Sequence, residues 1–193
     1  MSRLLKILKV LGYSLGGLFA MLNIGLGIAI IAWYGMIFYP YQDQIDKRIQ
    51  HSQAELGNDT KQLQVLTKLN YYPSDLYKIA AMKSYDYFYK GHHRSRLEGS
   101  LARSIWSIGI KLNYTEEQIF HLSTALGHYK WGKFGINNAA IGQYGVPVNR
   151  LTLEQKAELV AYLRAPRFYE NQSLAFKERV KQLLEKYHQQ TNS

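Results

Sequence analysis

Residues 134–169 read "FGINNAAIGQYGVPVNRLTLEQKAELVAYLRAPRFY", and the way this stretch divides decides the fold. Thr152 is followed three residues later by Gln155. That is a capping box, in which each side chain satisfies a backbone N–H that the first helical turn leaves unpaired. A helix is therefore expected to open at "LTLEQKAEL". Pro166 ends it, because proline lacks the N–H and its ring crowds the preceding turn. Nothing here alternates apolar and polar residues as a strand does.

The same device recurs upstream. "NYTEEQIFHL" pairs Thr115 with Gln118, and "YPSDLYKIAAMKSYDYFYK" opens at Pro73 and Ser74, a helix start. Apolar residues recur at helical spacing in three places. These are Leu97, Leu101, Ile105, Ile108 and Leu112; Ile119, Leu122, Leu126 and Tyr129; and Phe176, Val180, Leu184 and Tyr187. Residues 43–70 read as two short helices about the polar break "ELGNDTKQ", where Gly57 and Asn58 make the turn. The expected fold class is all-α.

The N-terminal end sets the compartment. "MSRLLKILK" carries Arg3, Lys6 and Lys9, and no charge follows from Val10 to Gln42, a run of 33 residues. A bilayer core needs about 20 apolar residues as helix. A cleaved signal peptide has an apolar region of only about 7–15. The run is therefore read as an uncleaved signal anchor, left at "PYQDQ" (40–44), with its basic tip in the cytoplasm and the body outside it. Gly12, Gly16 and Ala20 recur every four residues, a spacing that would let two copies pair through this helix. The net charge is +10; all fourteen acids and 21 of the 24 basic residues follow residue 42, which leaves +7 on the body. Such a surface suits anionic partners such as lipid headgroups or a pyrophosphate-linked lipid. An extracytoplasmic body argues against nucleic acid. The chain has no cysteine, so disulfides and thiolate metal sites are excluded.

With these features in place, 134–169 resembles, without a gap, the C-terminal part of family 51 glycosyltransferases. These are the peptidoglycan transglycosylase domains of penicillin-binding proteins and monofunctional transglycosylases. The resemblance rests on Phe134, Gly135 and Ile136, on paired Ala139 and Ala140, and on Gly145. It continues through Leu151, Thr152 and Leu153, then Ala157 with Leu159, and Ala165 and Pro166 with an aromatic shortly after. "TEEQIFHL" is similar to that family's lysine-initiated helix, with Glu116 at the lysine position and Ser123, Thr124 and Ala125 where the family has Tyr-Leu-Asn. "PSDLYKIAAMKSYDYF" is similar to its first helix, which runs into Glu-Asp-x-x-Phe. The likeness spans 73–171.

The resemblance implies a truncated lysozyme-like helical domain, and it implies that the chemistry is missing. With Phe88 as the family phenylalanine, Ser84 stands where the catalytic glutamate belongs and Tyr85 where the aspartate belongs. A one-residue gap makes Asp86 that aspartate but puts Tyr85 at the glutamate. In the family this glutamate is the base that deprotonates the attacking sugar hydroxyl; neither serine nor tyrosine can replace it near neutral pH unaided. Counting back from Thr115, the second family glutamate falls at Arg103. A helical wheel groups Arg103 with Gly99, Trp106 and Ile110, away from the Leu97 stripe, and that side is expected to face the cleft. Between these places only "KGHHRSRLEG" (90–99) replaces the family's donor-site and jaw motifs. His92, His93, Arg94 and Arg96, with Arg103, are the candidate contacts for a pyrophosphate or headgroup. The bland alternative is a solvated basic loop.

Other candidates are weaker. His121 and His128 are seven apart, whereas a two-histidine metal site wants i, i+4 spacing and a carboxylate; no metal and no cofactor is expected. Sixteen tyrosines, many in "YYPSDLY" and "SYDYFY", would suit a sugar- or lipid-binding surface, or half-buried packing near a membrane. The expected organisation is a cytoplasmic tip and transmembrane anchor (1–42), juxtamembrane helices (43–72), the transglycosylase-like domain (73–171) and a charged amphipathic helix (172–193). The expected function is non-catalytic binding, scaffolding or regulation in bacterial cell-envelope assembly. The partner would be a lipid-linked glycan or an assembly protein, met on the periplasmic side of the inner membrane. Two rivals stand beside it. One is an active glycosyltransferase with a rearranged site using Asp86 or Glu98; the other is an unrelated all-α membrane adaptor.

Overall fold

The computed structural model describes residues 2–57, 60–71, 73–89, 91, 95–129, 134–164 and 173–191, with side chains in the N-terminal helix at 17 and from 19 onward. Among these residues the chain is helical, and the only strand-like pairing is an isolated bridge between His128 and Phe134. Two compact units form, residues 1–40 and 41–193.

The first unit is helix α1, Ser2–Ile37. At 1.5 Å per residue it is about 54 Å long, against a hydrocarbon core of about 30 Å. It is long and apolar enough to cross a membrane. Phe19, Met21, Leu22, Ile24, Leu26 and Ile28 are all exposed along it, as befits a helix that is apolar all round. Asn23, within its apolar run, is satisfied internally, since its Nδ2 donates to the Phe19 carbonyl at 2.7 Å. Gly12 and Gly16, the start of the small-residue repeat, precede the residues whose side chains are described. The helix ends just before a single 3-10 turn, Tyr39–Tyr41, with Pro40 at its centre.

The second unit is a helical bundle. Helices α2 (Gln42–Leu56) and α3 (Thr60–Asn70) flank a turn in which Gly57 has φ 51°. Ile45, Ile49 and Leu56 of α2 and Leu63 and Leu66 of α3 are buried. These helices therefore put side chains into the core of the bundle. Helix α4 (Pro73–Ser84) starts with proline at its first position, where the missing N–H costs nothing. It runs on into a wide π turn, Tyr85–Tyr89. Helix α5 (Arg96–Asn113) is capped by Ser95, whose side chain accepts from Glu98 N–H. Helix α6 (Glu116–Leu126) carries the expected capping box at Thr115 and Gln118. Helix α7 covers Ile136–Tyr144. Helix α8 (Leu153–Arg164) opens with the second expected box: Thr152 N–H donates to Gln155 Oε1 at 2.9 Å, and Gln155 N–H to Thr152 Oγ1 at 3.3 Å. Pro166, its expected stop, lies outside the described residues. Helix α9 is Ser173–Thr191.

Helix α8 is deeply buried, with Ala157, Leu159, Val160, Ala161, Tyr162 and Leu163 all inside. Helix α9 lies against α8 and α3. It buries Leu183 and stacks Phe176 on Tyr162 at 4.3 Å. A polar clamp joins all three helices: Arg179 donates to Asn70 Oδ1 at 2.7 and 3.0 Å, and Asn70 Nδ2 donates to the Val160 carbonyl at 2.7 Å. The α6 stripe is buried as expected at Ile119, Leu122, Leu126 and Tyr129. The α5 stripe is not. Leu97, Leu101, Ile108 and Leu112 are exposed, and α5 instead buries Gly99, Ala102, Ile105, Trp106, Gly109 and Ile110. Small residues at 99, 102 and 109 give α5 a flat side that suits its packing against α4.

Candidate functional site

The end of α4 brings Ser84 near Arg103, the two positions at which the resemblance leads one to expect acids. Ser84 is fully buried, and its Oγ has no hydrogen-bond partner among the described residues. Immediately after it the helix widens by a residue, a feature frequent where a helix has been adapted to a function. That turn places Tyr85 and Tyr89 inside, with Asp86 and Tyr87 exposed. An aromatic cluster fills the space around it. Phe88 stacks on Trp106 with planes 7° apart, and Tyr41 meets Phe88, Tyr89 and Trp106 at 5.6–6.3 Å. Arg48 of α2 donates to the Tyr87 hydroxyl and lies 4.9 Å from that ring's centre. Burial pushes the Tyr89 phenol above its ordinary range, and the Glu98 carboxylate adds to the effect. The phenol therefore stays protonated.

Arg103 corrects an expectation. Its wheel neighbours Gly99, Trp106 and Ile110 are buried against the rest of the bundle, so that side of α5 is a core face, not a cleft wall. Arg103 itself emerges at the border of that face. Its guanidinium lies 5.6 Å from the centre of the Tyr85 ring, and its Nε donates to the Gly99 carbonyl at 3.2 Å. Arg96 is exposed on the first turn of the same helix. His92, His93 and Arg94 lie outside the described residues. Of the anion-binding candidates, the structure thus places Arg96 and Arg103, seven residues apart along one edge of α5. His121 and His128, weighed as a metal pair, have different surroundings. His121 is buried with its Nδ1 3.3 Å from Ser52 Oγ, while His128 packs on Phe134 at 5.2 Å.

An open cleft lies elsewhere, among α3, α4, α5 and α6. It holds about 310 Å³. Its walls are Tyr71, Leu76, Tyr114 and Ile119, and two cations reach it. Lys68 is held 3.3 Å from Glu116 Oε2, and Lys111 Nζ lies 5.6 Å from the centre of the Tyr77 ring. Thr67 also lines it and is fully buried, its Oγ1 without a hydrogen bond among the described residues. Aromatic walls with a few convergent polar groups are the usual make-up of a small-molecule site. This set would accept an apolar or sugar-like ring carrying an anion. Glu116, where the resemblance leads one to expect a lysine, is itself paired with Lys68. The tyrosine-rich "YYPSDLY" was the sequence signal for this cleft. Lys68 and Lys111 escaped notice because they are 43 positions apart and reach one cleft only in the folded bundle.

No protein-family model matches this chain, and no curated protein matches it.

Proposed function

We propose that this chain is a membrane-anchored, non-catalytic binding protein of the bacterial cell envelope. Its body is a shortened, lysozyme-like relative of the transglycosylase core. The basic tip lies in the cytoplasm, α1 spans the inner membrane once, and residues 41–193 work on the periplasmic side. The bound partner is a lipid-linked glycan or an assembly protein that handles one.

The observation that carries this proposal is the state of Ser84. Glycosyl transfer needs a carboxylate base within reach of the attacking hydroxyl. At the position where the resemblance puts that base stands a serine that is fully buried, its Oγ without a hydrogen bond among the described residues. At the second acid position, a guanidinium lies against Tyr85. The open cleft supports binding: its lysines suit phosphate and its tyrosines suit sugar faces.

The test uses the full-length protein and a lipid-linked disaccharide-pentapeptide. No polymer is expected, and turnover that disappears in Asp86→Ala or Glu98→Ala would restore the enzyme. Binding of the same lipid is expected to fall in Arg103→Glu and in Lys111→Glu with little change in melting temperature, since both side chains are exposed. A charge-assisted contact of about 1.5–3 kcal/mol corresponds to roughly 10- to 150-fold in Kd. Undiminished binding in both variants removes the anionic ligand and leaves a protein partner.

A further inference from the structure

Helix α5 carries an apolar stripe that its own fold leaves uncovered. Leu97 is 71% exposed, Leu101 41%, Ile108 49% and Leu112 75%. At 3.6 residues per turn these four lie within roughly 60° of one another, along nearly the whole length of the 18-residue helix. Scattered exposed leucines are ordinary, whereas a continuous apolar row marks an interaction surface.

The charges beside the row name the occupant. On one flank come Ser104, Lys111 and Ser100, and further round the helix the exposed cations Arg96 and Arg103. The single acid of α5, Glu98, is half-buried and lies beyond the other border of the row. A helix with leucines on one side, cations alongside and no exposed acid between them is built to lie in a membrane interface, its apolar side in the acyl region and its cations at anionic headgroups. The same chain carries a helix able to cross a bilayer, so the surface it needs is held at high local concentration. We infer that α5 docks flat on the surface of an anionic bilayer through Leu97, Leu101, Ile108 and Leu112, as a second membrane contact of this chain. Its four apolar residues line no part of the cleft, so the thiol reactivities below read this contact apart from glycan binding, although Lys111 borders both.

The chain has no cysteine, so Leu97→Cys, Leu112→Cys and, as a control on α9, Lys181→Cys each introduce a unique thiol. The full-length variants are reconstituted into vesicles of zwitterionic lipid with or without phosphatidylglycerol. They are then treated with a water-soluble maleimide. Reaction at 97 and 112 is expected to be at least about tenfold slower than at 181 in the same anionic vesicles. The gap should narrow without phosphatidylglycerol and persist when protein is diluted in lipid. Equal reactivity at all three positions overturns the proposal. So does protection that ignores lipid charge, which removes the headgroup contact. Protection that is lost on dilution in lipid also overturns it, and assigns the row to a second copy of the chain. Unchanged melting temperatures in the cysteine variants are the check that all three remain folded.

Discussion

His121 sits on α6 among Phe120, Leu122, Ser123 and Thr124, all buried. Burial lowers its pKa below the ordinary 6.5, and the Glu117 carboxylate, 4.0 Å from Nε2, opposes the shift only in part. A neutral imidazole suits its position beside Ser52 Oγ. The folded protein resists protonating this ring while the unfolded chain does not. The resulting stability is fully present above pH 6.5 and is lost as the pH falls from there through the lower folded value. The difference in melting temperature between wild type and His121→Gln is therefore expected to shrink between about pH 8 and pH 5. A difference that stays constant or grows on acidification would show that the ring is not buried neutral. In the sequence, His121 was visible only as a failed metal ligand, because burial is contributed by α2 and α4, which are distant along the chain.

At the scale of elements, local signals and packing divide the work. Capping boxes at Thr115 and Thr152 act within one turn and were legible from four residues each. The end of α6 was not legible. Gly127 has an ordinary φ of −57°, so conformational freedom is not the reason for a glycine there. A Cβ at 127 would lie 2.3 Å from Leu163 Cδ1 and 2.8 Å from the Ser123 carbonyl. The glycine exists so that the chain leaving α6 can touch α8. Gly127→Ala is expected to destabilise the protein by about 1–3 kcal/mol through overpacking, read as a lower urea midpoint at unchanged slope. A double variant Gly127→Ala with Leu163→Ala that loses less than the sum of the two single losses would tie the effect to that contact, and an unaffected Gly127→Ala would refute it.

At the scale of the whole molecule, the two units differ in what their surfaces demand. The unit of residues 1–40 exposes apolar side chains along a helix. The unit of residues 41–193 has a core of its own and is basic outside. The proposed orientation, with the N-terminus in the cytoplasm, rests on Arg3, Lys6 and Lys9 before the apolar run, against Lys47 and Arg48 after it. A reporter that works only outside the cytoplasm is expected to be active when fused after Ser193, and inactive when residues 1–40 are deleted. Activity of a cytoplasm-only reporter at the same place would reverse the topology, and with it the access to a periplasmic glycan.

The sequence by itself determined the helical class, the apolar span and the starts of α6 and α8, because run length and capping are local. Tertiary structure alone decided which side of α5 is buried. Wheel and hydropathy favoured the leucine row, but packing against α4 took the side with Gly99, Ala102 and Gly109. Close approach depends on the shape of both surfaces, and a single helix records only its own. The leucines were thereby left outside, and Arg103 became the rim of a core instead of the wall of a cleft.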